Sequence, residues 1–68
     1  MIDRNSTAEE LGKYLKDIRT DSGMNRREFA EYFGIPLRTM EDWEGVKRKM
    51  PDYLLRLMEY KLRMEGLI

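Results

Sequence analysis

Gly23, Gly34, Gly45 and Pro51 cut this chain into segments, and inside each segment the apolar residues recur with the period of an α-helix. Leu11, Tyr14, Leu15 and Ile18 include partners three and four residues apart, as do Phe29, Ala30 and Phe33, and Leu37, Met40 and Trp43 recur every third residue. Helices that short are marginal in isolation and form by burying one face against their neighbours. The pattern therefore predicts a small all-α domain with tight corners.

Capping residues fix where the helices begin. Ser6 and Thr7, followed by Glu9 and Glu10, supply two overlapping capping-box registers, and the first helix is expected from about Thr7 to Ser22. Gly23 is a left-handed stop. Asn25 with Glu28 forms a second box, Met24 and Phe29 can close a hydrophobic staple, and about eight residues follow before Gly34 ends the second helix. Pro36 is tolerated in the first turn of a third helix, about 36–44, which Gly45 terminates. After the basic loop from Val46 to Met50, Pro51 and Asp52 favour a fourth start, with the helix running to about Glu65. The expected architecture is a compact four-helix domain over 1–68, with room for a short fifth turn.

The fourth helix shows two apolar faces. Leu54, Leu57, Met58 and Leu62 are assigned to the face that packs on the domain, while Tyr53, Tyr60, Met64 and Leu67 lie on or near a second one. Aromatic and methionine side chains beyond what a monomer needs to cover mark a candidate homodimer interface. A broad amphipathic stripe is the plainer alternative.

Composition narrows the function classes. The chain has no cysteine and no histidine, which removes disulfides, thiolate zinc sites, the commonest transition-metal ligands and the usual nucleophile-activating base. No enzyme activity, metal, cofactor or small-molecule substrate is expected. Thirteen basic residues balance thirteen acidic ones, so no overall positive field draws the chain to nucleic acid and any such binding must come from placement. With neither a signal sequence nor an apolar run of membrane-spanning length in these residues, the expectation is a cytoplasmic protein with no membrane partner.

The segment from Arg26 to Gly45 has apolar Phe29, small Ala30, apolar Phe33, Gly34 and Ile35, then Met40 and Trp43. Two short helices crossing near a right angle need a glycine in the turn, a small residue at the closest approach and apolar side chains at the crossing. Together with Trp43-Glu44 and the basic Lys47-Arg48-Lys49 ahead of a proline, this segment resembles the lambda-repressor-like, Cro-type helix-turn-helix family of bacterial and phage regulators. The resemblance covers about Met24 to Met50, and more loosely the whole chain. It implies a helix-turn-helix at about 25–45 whose third helix enters the major groove of double-stranded DNA.

Carried over position by position, the resemblance makes Leu37, Arg38, Glu41 and Asp42 the base readers. Arg38 suits the bidentate contact to guanine, Leu37 a thymine methyl, and Glu41 or Asp42 a cytosine amino group. Asn25, Arg26 and Arg27 at the start of the second helix, with Thr39, Lys47, Arg48 and Lys49, would hold phosphates. Trp43 and the two phenylalanines are expected in the core. Departures exist: Pro36 stands where the family often has Ser or Thr, and Glu41, Asp42 and Glu44 repel a polyanion unless paired. The expectation is thus a repressor-like transcription regulator acting as a dimer through the fourth helix. The alternative is a protein-interaction module, antitoxin or adaptor on the same fold with a protein partner.

Overall fold

The computed structural model describes residues 2–68, with helices in the order α1 (Ala8–Asp21), α2 (Arg26–Phe33), α3 (Leu37–Glu44) and α4 (Asp52–Met64). Among the described residues there is no strand and no fifth helix; turn and bend at 45–48 lead from α3 toward α4. Of the two capping registers at the start of α1 the chain takes the later. Glu10 N donates to Thr7 Oγ1 at 3.1 Å while Thr7 N donates to Glu10 Oε1 at 2.7 Å. The unused Ser6 accepts instead from Asp3 N at 2.9 Å, and Ile2 beside that turn is buried in the core. The second box forms as read, with Glu28 N to Asn25 Oδ1 at 2.8 Å and Asn25 N to Glu28 Oε1 at 2.9 Å.

One core joins all four helices: Leu11, Leu15 and Ile18 from α1, Phe29 and Ala30 from α2, Met40 and Trp43 from α3, and Leu55, Met58 and Leu62 from α4. Met50, in the loop before α4, belongs to the same core, and Met24 packs against it from just outside α2. Phe33 is only half-buried; its ring lies 4.7 Å from Phe29 and 4.9 Å from Tyr32. α1 reaches α3 through Gly12, where a Cβ would stand 2.7 Å from the Trp43 carbonyl oxygen. A mid-helix glycine costs roughly 0.5–1 kcal/mol against alanine, so its presence is explained by this close backbone approach.

One expectation is corrected. In α4 the inward face is Leu55, Met58 and Leu62, whereas Leu57 is 59% exposed. Successive helical residues turn by about 100°, so Leu57 lies well round from Met58 and aligns with Tyr53, Tyr60 and Met64 instead. At the end of α3, Gly45 caps with a right-handed φ of −82° and the left-handed position falls on Val46, φ 60°. Lys47 N to Asp42 O at 2.8 Å and Val46 N to Trp43 O at 3.3 Å complete the two-bond helix ending that needs a left-handed residue there. Pro36 sits one residue outside α3, as a cap with no side-chain hydrogen bond.

Candidate nucleic-acid interface

Gly34, φ 70°, turns the chain sharply out of α2, and Ile35 N donates back to Ala30 O at 2.9 Å. α3 therefore starts in a new direction with one side against the core. Met40 and Trp43 are buried on that side; the Arg38 side chain on the other is 82% exposed. Glu41 is exposed as well, while Leu37 and Thr39 are half-buried at the margin. The outer surface of α3 is thus a short polar ridge with an arginine at its start.

Its carboxylates are mostly spoken for. The Glu44 side chain is 1% exposed and accepts from Arg19 Nε at 2.7 Å, Arg19 Nη2 at 3.1 Å and Arg26 Nε at 2.9 Å. Arg19 also donates to the Met24 carbonyl at 3.1 Å. Such a charge-assisted, two-pronged contact is among the strongest polar links a fold can make, and here it joins α1, the start of α2 and the end of α3. Asp42 turns toward Arg38 Nε at 3.6 Å and Arg48 Nε at 3.4 Å, leaving its side chain 16% exposed. Glu41 alone of the three has no ion-pair partner among the described residues.

Arg19 went unread in the sequence. Leu11, Leu15, Ile18 and Arg19 occupy successive inward positions of one helical stripe, so a charge in the last of them called for a buried acid.

Asn25, Arg26 and Arg27 are exposed and join Arg19, Leu37 and Glu41 around an open cleft of about 410 Å³ between the start of α2 and α3. The first-turn N–H groups of a helix lack intrahelical partners, and this end carries two arginines beside them. Asn25 spends its side-chain oxygen as the cap. Arg48 is tied to the α3 ridge by Asp42 and by a 3.4 Å bond to the Thr39 hydroxyl. Lys47 and Lys49 are exposed, and no ion pair engages them among the described residues. The expected site residues thus fall into a cleft group and a ridge group that meet along α3, while Tyr53, Tyr60 and Met64 are exposed on α4 with Leu57, and Leu67 lies beyond the end of that helix.

On the α1–α4 side, Tyr14 donates to Glu59 Oε1 at 2.6 Å and Arg63 Nη2 to Glu59 Oε2 at 2.8 Å. The bond to Glu59, reinforced by partial burial, pushes the Tyr14 phenol above its usual value. Burial works to raise the Glu59 carboxyl, but the Tyr14 hydroxyl and the Arg63 guanidinium together hold it below the ordinary carboxylate range. This cluster is a clasp between helices and contains no exposed reactive group.

Among the described residues no three His, Cys, Asp or Glu side chains gather as metal ligands, and no helix is long and apolar enough to cross a membrane. Comparison of the chain with protein-family models, curated proteins and solved structures finds no match.

Proposed function

We propose that this chain is a sequence-specific DNA-binding regulator of the lambda-repressor-like kind, acting in the cytoplasm, with α3 in the major groove. The observation that carries the reading is the pairing of the acids around α3. Glu44 is sealed under two arginines and Asp42 is shared by two more, so most of the negative charge that would repel a phosphate backbone is neutralised within the fold. Arg38, on the exposed first turn, is the guanine reader; Leu37 suits a thymine methyl and Glu41 a cytosine amino group. Asp42 lies 3.6 Å from Arg38 Nε, and because the arginine itself stands in solvent a pair this long is worth at most about 1 kcal/mol, little enough to yield to a base. Asn25, Arg26 and Arg27 at the cleft, with Thr39, Lys47, Arg48 and Lys49 beyond the ridge, are the phosphate contacts.

A titration of labelled duplex, first selected from a random pool, tests this at low and at physiological salt. Arg38→Ala is expected to lose about 1–3 kcal/mol and the preference at one base position. A triple alanine variant at Lys47, Arg48 and Lys49 keeps its preference but binds more weakly with a shallower salt dependence. Absence of salt-dependent binding by the intact chain overturns the proposal. It would favour the second reading, a protein-interaction module or adaptor, which the zero net charge also supports.

A further inference from the structure

Tyr53, Leu57, Tyr60 and Met64 are 60%, 59%, 63% and 68% exposed along one side of α4. A large aromatic side chain carries about 150–250 Å², so the two tyrosines alone expose on the order of 250 Å² and the four side chains roughly 500 Å². Two such faces together offer at most about 1,000 Å² for burial, the size at which a specific interface begins.

We infer that a second copy of this chain covers the stripe, with the two α4 helices antiparallel about a two-fold axis midway between Leu57 and Tyr60. The spacing of the stripe reads the same in both directions: four residues, three, then four. Reversal therefore sets Tyr53 against the partner's Met64 and Leu57 against the partner's Tyr60. Each contact pairs an aromatic ring with a methionine or leucine, and methionine sulfur against a ring is a favourable contact in its own right. A two-fold interface needs this self-complementarity, since one patch must serve as both halves.

The charges beside the stripe obey the same symmetry. Asp52, Arg56, Glu59 and Arg63 alternate in sign at the same four-three-four spacing, and within one chain Arg56 pairs with Asp52 and Arg63 with Glu59. In antiparallel packing this edge meets its own copy reversed, which brings Asp52 toward the partner's Arg63 and Arg56 toward the partner's Glu59. Parallel packing brings the edge against the opposite one and sets Arg56 toward the partner's Lys61, a like-charge contact. Opposed potentials of this kind select orientation more than they add affinity.

The absence of native cysteine permits a direct test without DNA, so its failure leaves the DNA reading untouched and the reverse also holds. Solution mass is measured from about 1 μM to about 1 mM, the range in which an interface of this size associates. It is expected to rise from 8.2 kDa to twice that value. Tyr60→Asp, folded by circular dichroism, is expected to stay monomeric. Tyr53→Cys and Met64→Cys are then mixed and oxidised. A 53–64 heterodisulfide is the expected product, because like positions on antiparallel helices lie 11 residues out of register. At 1.5 Å per residue that is about 16 Å, beyond the roughly 7 Å a disulfide spans. A monomeric mass throughout, or a dimer that survives Tyr60→Asp, overturns the interface. Homodisulfides from either single variant, or a dimer without the mixed product, overturn the antiparallel register.

Discussion

Replacing Glu44 by Gln perturbs the deepest polar contact of the structure while keeping its shape. The carboxylate accepts three guanidinium bonds at 2.7, 3.1 and 2.9 Å with its side chain 1% exposed, and Arg19 beneath it is only 9% exposed. The amide neutralises one partner of a buried pair and cannot accept on both sides, so Arg19 is left as an uncompensated charge; such breaks cost about 3–5 kcal/mol. A domain of this length has only about 3–10 kcal/mol of stability in total. Urea unfolding followed by the single, buried Trp43 is therefore expected to show Glu44→Gln losing at least about a third of its stability or failing to fold. Arg19→Met combined with Glu44→Leu removes both charges together, and such a double change costs less than either single one when the charges are coupled across a dry contact. A Glu44→Gln loss below about 1 kcal/mol, or strictly additive effects of Arg19→Met and Glu44→Leu, would refute the argument, because either marks a solvated pair.

Gly12→Ala gains helix propensity yet forces a Cβ to 2.7 Å from the Trp43 carbonyl, so overpacking by about 1–3 kcal/mol wins and the urea midpoint falls. Val46→Gly relieves a β-branched residue held at φ 60° and is expected to raise stability by up to about 1 kcal/mol in the same assay. Because Glu59 has a lowered folded pKa, its contribution is present above the ordinary carboxylate value and lost as pH falls through the lowered one; Tyr14→Phe should weaken that acid-limb dependence. Tyr14 is raised, so its contribution is intact below about 10 and disappears as pH climbs through the higher value. Tyrosinate absorbance is expected to contain a late-ionising step from Tyr14, and Tyr14→Phe to remove it.

The helix starts and the glycine corner were legible because each rests on local chemistry. A side-chain cap three residues before its glutamate, or a left-handed turn closed by glycine, is decided within a few residues, and Asn25, Glu28 and Gly34 behave as read. The phase of α4 was not legible in the same way. Leu54, Leu55, Leu57 and Met58 crowd one stretch, so periodicity admits more than one inward face and packing against α1 makes the choice. Gly45 ends α3 as expected, while the hydrogen bonds of the ending place a left-handed conformation one residue later, on Val46, where no local sequence signal marks it. The Arg19–Glu44 link spans 25 residues, and only the three-dimensional meeting of α1 with α3 reveals it. In the candidate site the exposure of Arg38 and Glu41 followed from the helical period, whereas the half-burial of Leu37 and the pairing of Asp42 and Glu44 with arginines did not.

The central claim is that the outer face of α3 meets DNA. Amide chemical shifts of the labelled protein, followed during addition of a selected duplex at low salt, test it most directly. The expected result is a set of changes centred on Leu37, Arg38 and Glu41, extending to Arg26, Arg27 and the 47–49 loop and fading as salt is raised. Shifts confined to α4, or none at all at saturating duplex, would contradict it.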